Sequence, residues 1–366
     1  MASTKAHSNG NGKVSPEELP TKAKAGRGGA TPPGSRLAEA FEAVERFPVL
    51  IESRERVIEA ATAETARIGD LVEAVEADVA LSISVLRFAN RSGLNAGGVA
   101  GIPAAIEVLK PSGVLAIAGT APIFDFFESN GGWELKPERF RVHALATQQA
   151  ADRVGRAVGW VERDELAAAA LLHDIGRLVI SRLHPGFKVY FDATSRTPEQ
   201  RLRDEREQLG IDHALVGGVL ARRWNLPQRI AVAIERHHSE EADGLAAMIA
   251  TADMIAHYSQ GEAISPERLR LSAERCGLGP EALRDLLYEL PLSPRDASRI
   301  SEPCPLSARE LDVLRHLSEG MVYKQIAGEM QLSVSTIRTH LHNVYGKIGA
   351  VDRAQAVLTA RDRGWI

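Results

Sequence analysis

The sequence predicts an all-α protein, and three observations carry that expectation. Ala, Leu, Glu and Arg dominate while aromatic residues make up only 5% of the chain, a mixture that favours helix over sheet. From Arg36 onward apolar residues recur at three- and four-residue spacing almost without interruption, the period of an amphipathic helix. No stretch shows the two-residue alternation of a half-buried strand.

Taken in order, residues 1–35 are rich in Gly, Ser, Asn, Lys and Pro without an apolar period, and are expected to be a disordered tail. Val57, Ala60, Ile68, Leu71 and Val72 belong to helical stripes, followed by a helix over Ala77–Asn90. Breaks fall at Ser92-Gly93, Pro103 and Pro111-Ser112-Gly113, where Gly and Pro punctuate the pattern. Helices follow at 138–158, 163–183, 213–224, 227–238 and 241–259, with Asp212 placed as the N-cap of the third. A Pro-, Ser- and Arg-rich stretch then reads as a linker. The expected organisation is a tail at 1–35, a helical domain at 36–290, a linker at 291–304 and a second helical domain at 305–366.

A chain of 366 residues has room for two or three such domains. A net charge of −4 over that length points to no partner, so any contact with nucleic acid must come from local charge. The two cysteines, Cys276 and Cys304, match no metal or redox spacing and read as free thiols in a reducing cytoplasm. The longest apolar stretch, around Gly113–Phe127, is interrupted by Pro122 and Asp125, short of the 18 or so residues a membrane span needs. The start, Met1–Gly12, is polar and lacks a signal-peptide core. The expected location is the cytoplasm, with no membrane partner.

The last sixty or so residues carry a specific pattern. Ser307 and Glu310 form a capping box ahead of Leu311, Val313, Leu314 and Leu317, and Gly320 closes that helix. A short helix follows at Lys324-Gln325-Ile326-Ala327. Ser333 then caps Val334–Lys347, whose core stripe is Val334, Ile337, Leu341, Val344 and Ile348. Arg338, Thr339, His342, Asn343 and Lys347 are left facing out. Two helices in succession, the second with an exposed polar face, is the physical form of a DNA reader. The segment "LSARELDVLRHLSEGMVYKQIAGEMQLSVSTIRTHLHNVYGKIGAVDRAQAVLTARDRGWI" resembles the LuxR-type (GerE-like) helix-turn-helix over its whole length. The resemblance implies that Val334–Lys347 enters the major groove of double-stranded DNA, with Arg338, Thr339 and His342 on the base-reading face. It sets Lys324, Ser335, Thr336 and Lys347 near phosphates, where contacts position rather than specify. It also assigns a homodimer contact to the fourth helix, Asp352–Arg363.

The middle of the chain holds an ordered series of metal-type ligands: His143, His173-Asp174, His213, His237-His238 and Asp253. The doublet follows the apolar run Ala167-Ala168-Ala169-Ala170-Leu171-Leu172 and is expected to lie buried within one helix. A buried carboxylate beside a buried imidazole needs partners, and a metal ion supplies them. Nitrogen with carboxylate oxygen suits Fe, Mn, Zn or Ni, and the set is large enough for one or two ions.

The order of these residues, with "LLHDIGRLVI" carrying the doublet, resembles the HD superfamily of metal-dependent phosphohydrolases. The wider region from about Arg36 to Leu290 is similar to the HDOD domain, the HD-related output domain of bacterial signalling proteins. That resemblance implies a regulatory module with a protein partner or a nucleotide ligand. Two departures set the chain apart from the related cyclic-di-GMP phosphodiesterases: Arg177 stands where a lysine follows their HD-I-G, and His238 is followed by Ser239-Glu240-Glu241-Ala242 rather than Gly-Tyr-Pro. Two main functions remain open, beside a third in which the HDOD region is a pure protein-docking scaffold whose His and Asp are vestigial. One is a transcription regulator with no catalytic residues, in which an HDOD module controls the DNA reader. The other is a metal-dependent phosphohydrolase carrying a DNA-binding domain.

Overall fold

A computed structural model of the chain describes residues 33–63, 67–91, 98–124, 137–184, 186–187, 196–289, 304–350, 352–363 and 365–366. Among these the secondary structure is helical throughout, apart from an isolated parallel bridge between Val49 and Ile123. In chain order the helices are α1 (Pro33–Glu45), α2 (Ile51–Thr62), α3 (Ile68–Glu76), α4 (Val79–Arg91), α5 (Ile102–Thr120), α6 (Pro137–Ala157), α7 (Arg163–Leu172), α8 (Ile175–Leu183) and α9 (Pro198–Leu209). They continue with α10 (His213–Arg223), α11 (Gln228–Arg236), α12 (Gly244–Ser259), α13 (Pro266–Arg275), α14 (Pro280–Glu289), α15 (Ala308–Ser318), α16 (Tyr323–Glu329), α17 (Val334–Ile348) and α18 (Arg353–Asp362).

Several boundaries depart from the sequence-based expectation. α1 starts at Pro33, so the end of the expected tail is helical; the rest of that tail, and the expected linker up to 303, lie outside the described residues. The single helix expected over 163–183 is two, α7 and α8, broken at His173-Asp174. Asp174 takes φ −97° and ψ 9°, outside the helical well, so the ladder of α7 ends ahead of it and α8 starts anew at Ile175. That break places the doublet at a helix junction, where both side chains turn inward.

The first bundle packs α2, α3 and α4 against α5. α5 is the one described helix long and apolar enough to cross a membrane by length and composition, longer than the expected stretch around Gly113–Phe127. It is two segments meeting at Lys110, whose φ of 61° lies in the left-handed region ahead of Pro111. The second bundle sets α6 between α7 and α12, with α10 against both α8 and α11. Val154, Leu166, Ala169, Leu178, Ile230 and Ile249 are among the side chains that close its core.

The C-terminal helices form a smaller core from Val313, Leu314, Ile326, Ile337, Leu341, Val344 and Val357. The caps are as the sequence predicts. Ser307 and Glu310 close a capping box, and Ser333 Oγ accepts from Thr336 N at the head of α17.

α18 also packs on α6 of the larger bundle, and Ala354 and Leu358 join the larger core while Leu50 and Phe124 join the smaller one. The two cores therefore meet along a seam. Asp352, the N-cap of α18, is fully buried there; its Oδ1 accepts from Gln355 N, and its Oδ2 has no hydrogen-bond partner among the described residues. Burial pushes the Asp352 carboxyl up to about 6, Asp78 and Glu52 adding to the rise and the Gln355 amide and Arg56 opposing it. A carboxyl raised in the folded state contributes stability that is full below its unfolded value and is lost as pH rises through about 6. Asp352→Asn keeps the cap oxygen and removes the charge. It is expected to raise stability at pH 7.5 by on the order of 1–3 kcal/mol and by little at pH 4.5. Urea unfolding of both proteins at the two pH values checks this, and an equal effect at both contradicts a buried charge at the seam.

Candidate metal centre and DNA-reading face

Seven ligand-type residues predicted from sequence converge in the second bundle. His143 comes from α6, His173 and Asp174 from the α7–α8 junction, His213 from the head of α10, His237-His238 from the end of α11 and Asp253 from α12. All but His238 are buried. Asp174 sits at the centre. Its Oδ1 is 3.1 Å from His213 Nε2 and 4.0 Å from His237 Nε2. Its Oδ2 is 3.6 Å from the Nε2 atoms of both His143 and His173 and 3.0 Å from Arg177 Nη1. Asp253 Oδ1 lies 3.0 Å from His143 Nε2 and 3.3 Å from His173 Nε2.

Sequence reasoning missed four participants. His257 Nε2 is 3.1 Å from Asp253 Oδ1, and the i,i+4 spacing of the two on one helix was a signal that could have found it. Glu205 Oε2 accepts from His213 Nδ1 at 2.7 Å, and Glu262 Oε2 accepts from His257 Nδ1 at 2.8 Å. Arg201 Nη1 pairs with Glu262 Oε2 at 3.0 Å. Glu205 and Arg201 lie one turn apart in a strongly polar α9 whose text gives no hint that one face is buried.

The tautomers are set by the outer partners. His173 Nδ1 faces the Ala170 carbonyl at 2.7 Å, and His237 Nδ1 faces the Ile234 carbonyl at 2.6 Å. A carbonyl only accepts, so both Nδ1 atoms carry the proton and both Nε2 atoms present lone pairs inward. Neither Nε2 has a hydrogen-bond partner among the described residues, nor does either oxygen of Asp174. Lone pairs facing buried carboxylate oxygens favour a cation between them, a place that Arg177 Nη1 takes in part at Asp174 Oδ2. Outer nitrogens held by carbonyl or carboxylate, with inner nitrogens converging, is how proteins orient histidine for metal.

The electrostatics agree for two of the imidazoles and set His213 apart as the charged partner of Glu205 and Asp174. Burial, with His257 for His143 and His173 for His237, holds these imidazoles down at about 4 and about 3, the neutral ligand form. Burial also opposes the His213 imidazolium, yet Glu205 and Asp174 raise it to about 9. Burial opposes the Asp174 carboxylate as well, but Arg177, His173 and His213 hold it well below the usual range.

Three sets of donors each bring their ligand atoms within 4.8 Å of one another: Asp174 with His213, His237 and His238; His143 with His173 and Asp174; and His143 with Asp253 and His257. The donor set is compatible with a divalent metal. A cavity of about 330 Å³ reaches the centre beside His237, His238 and Asp253, with Arg268 and Arg275 in its wall.

On the smaller bundle, Lys324, Ser335, Arg338, Thr339, His342 and Lys347 are exposed and Thr336 is half-buried. They stand on α16 and α17, the two helices of the helix-turn-helix. Ser335 Oγ and Thr336 Oγ1 both lie 2.7 Å from the capping Ser333 Oγ. Lys347 Nζ is bound to Glu310 at 2.7 and 2.9 Å, a pairing that competes with the phosphate contact expected of it.

Fold and site together define a regulator that joins an HD-like helical domain to a DNA-binding helix-turn-helix. The HDOD domain model matches residues 47–240, and the chain belongs to the HDOD family. The model for bacterial regulatory proteins of the luxR family matches residues 304–360. Among solved structures, the chain is similar to the MmoQ response regulator from Methylococcus capsulatus str. Bath, with 24% identity, 66% of this chain and 98% of that chain covered, and a TM-score of 0.54. It is also similar to a virulence factor from Campylobacter jejuni subsp. jejuni, with 18% identity, 74% and 99% coverage, and a TM-score of 0.55. At these identities the likeness speaks for the fold alone.

Proposed function

We propose that the protein is a transcription regulator in which the HDOD module, residues 36–290, controls how the helix-turn-helix domain, residues 305–366, engages DNA. The observation that carries this reading is the seating of α18 on α6 while the reading face of α17 stays exposed. The helix to which the LuxR resemblance gives the dimer contact is covered within the chain, so pairing of two copies on DNA through it requires its release. Any ligand with different affinity for the seated and released forms then shifts DNA binding. DNA as the target makes the cytoplasm the place of action.

In this reading Arg338, Thr339 and His342 meet base edges, and Lys324, Ser335, Thr336 and Lys347 meet phosphates. Selection of bound sequences from a random DNA pool by the full chain tests the function directly. Arg338→Ala is then expected to cost about 1–3 kcal/mol on the selected site and little on random DNA. Equal weakening on both assigns Arg338 to the backbone, and a pool that never enriches removes the regulator reading.

The metal centre fits one divalent ion, Fe, Mn, Zn or Ni, held by Asp174, His213, His237 and His238. The second position is contested, because Arg177 Nη1 already pairs with Asp174 Oδ2. The cavity beside His238 favours a second reading, phosphoester hydrolysis, in which the ion would supply an activated water and neutralise phosphate charge. Arg177 and Arg268 would then bind the phosphate, a role suited to a planar, permanently charged guanidinium. Release of nitrophenolate from bis(4-nitrophenyl) phosphate by manganese-supplied protein, lost in His173→Ala/Asp174→Ala, would support that reading. A rate equal to the buffer's would leave the module regulatory.

A further inference from the structure

The ligand residues form two sets that share Asp174. His213 Nε2 stands 3.1 Å and His237 Nε2 4.0 Å from its Oδ1, with His238 Nε2 3.1 Å from His213 Nε2. On the other side, the Nε2 atoms of His143 and His173 both stand 3.6 Å from its Oδ2, and Asp253 Oδ1 lies 3.0 and 3.3 Å from the same two nitrogens. By donor type each set suits a divalent ion.

Arg177 makes the two sets unequal. Its guanidinium is buried, and its Nη1 meets Asp174 at Oδ2, 3.0 Å away. The two residues stand three apart where α8 begins, so the first turn of the helix carries the charge to that oxygen. An ion bonded to Oδ2 at the usual distance would lie within roughly 5 Å of Nη1, and two cations that close repel strongly where water is scarce. The charges point the same way. With the histidines as neutral ligands, the buried carboxylates of Asp174, Asp253 and Glu205 outweigh Arg177 by two charges, which one divalent ion cancels. Glu262 is matched separately, by Arg201 and Arg139 at 3.0 Å each. A second divalent ion would leave buried positive charge uncompensated, which is unfavourable.

We propose that Arg177 takes the place of a second metal ion and holds the centre to a single divalent cation, bound by Asp174, His213, His237 and His238. A guanidinium neutralises Asp174 as an ion would, but it offers no coordination position and activates no water. His143, His173 and Asp253 then stay outside the coordination sphere, as neighbours that hold Asp174 in place. The inference rests on the reading of these residues as a metal centre; it is independent of DNA binding and of hydrolysis.

The test loads the full chain with manganese(II) and reads the bound metal by elemental analysis and electron paramagnetic resonance. The parent is expected to retain one ion per chain with the spectrum of an isolated ion, any second one binding at least roughly a hundredfold more weakly. Arg177→Met and Arg177→Gln are expected to retain two, now with the signature of a spin-coupled pair. Arg177→Lys, which keeps the charge, is expected to stay at one. Adding His143→Ala to Arg177→Met should return it to one ion, which assigns the second ion to the His143 set. A merely structural role for Arg177 would lower metal content in these variants and create no coupled pair. Two ions in the parent, no more than one in either uncharged variant, or a second ion in Arg177→Lys as readily as in Arg177→Met overturns the proposal and leaves the metal reading standing. A parent that holds no metal removes that reading and this one together.

Discussion

Asp174→Asn is expected to strip divalent metal from protein purified without chelator and to lower stability by about 3–5 kcal/mol. Both effects follow from one carboxylate serving several cation-seeking groups. It faces His213 at 3.1 Å, His143 and His173 at 3.6 Å and His237 at 4.0 Å, and it pairs with Arg177 at 3.0 Å. An amide removes the negative charge that would join a metal to the imidazoles, and its N–H₂ group points a donor where a ligand oxygen is needed. Arg177, whose Nε and Nη2 have no hydrogen-bond partner among the described residues, is then a buried cation without its counter-ion. The double variant Asp174→Asn/Arg177→Met separates the two consequences. Removing the stranded charge should restore part of the stability, while metal content stays at background. Elemental analysis beside thermal unfolding reads both quantities. A parent protein without metal would end the metal assignment and leave Arg177 as the counter-charge of Asp174. Full recovery of metal in the double variant would show that Asp174 is not a ligand.

The helical class was legible because periodicity and composition report burial of one helix face, and the larger and smaller bundles both follow from that signal. Caps were legible where a side chain closes onto its own backbone three residues away, as at Asp212, Ser307 and Ser333. The ligand series was legible because His and Asp in apolar surroundings are rare without a reason. What surrounds it was not. Glu205 and Arg201 are buried on a helix of low hydropathy, and their burial arises from charges donated by α10 and by Glu262, residues that only the fold brings near. The break at His173-Asp174 was hidden by an apolar run that continues through both helices, since periodicity measures facing and not direction. The seam was hidden for a related reason. Ala354 and Leu358 read as ordinary core positions of a small helical domain, and nothing local tells that they join the larger core. Contacts between distant parts of a chain leave no trace in its local pattern.

Gly176→Ala carries the second large effect, and it tests the geometry that makes the centre. A Cβ at Gly176 would lie 2.0 Å from the His213 carbonyl oxygen and 2.8 Å from Gly217 N. Both are backbone atoms of α10, so no rotamer change relieves the clash, and α8 must move away from α10. That movement draws Asp174, just ahead of α8, from His213 at the head of α10, the two residues whose 3.1 Å contact anchors the four-donor group. The substitution is expected to cost about 3 kcal/mol or more, the upper range for overpacking, and to lower metal content as well. Gly119→Ala makes the same chemical change in α5 with nothing within 4 Å of the new Cβ. There the higher helix propensity of alanine should leave stability unchanged or raise it by up to about 1 kcal/mol. Urea denaturation of the two variants beside the parent decides the matter. If Gly176→Ala unfolds at the parent's midpoint, α8 and α10 are farther apart than this arrangement has them, and the convergence of His213 on Asp174 loses its structural support. Opposite signs at the two glycines would show instead that the residue two places after Asp174 is glycine because two helix backbones must touch there for the centre to form.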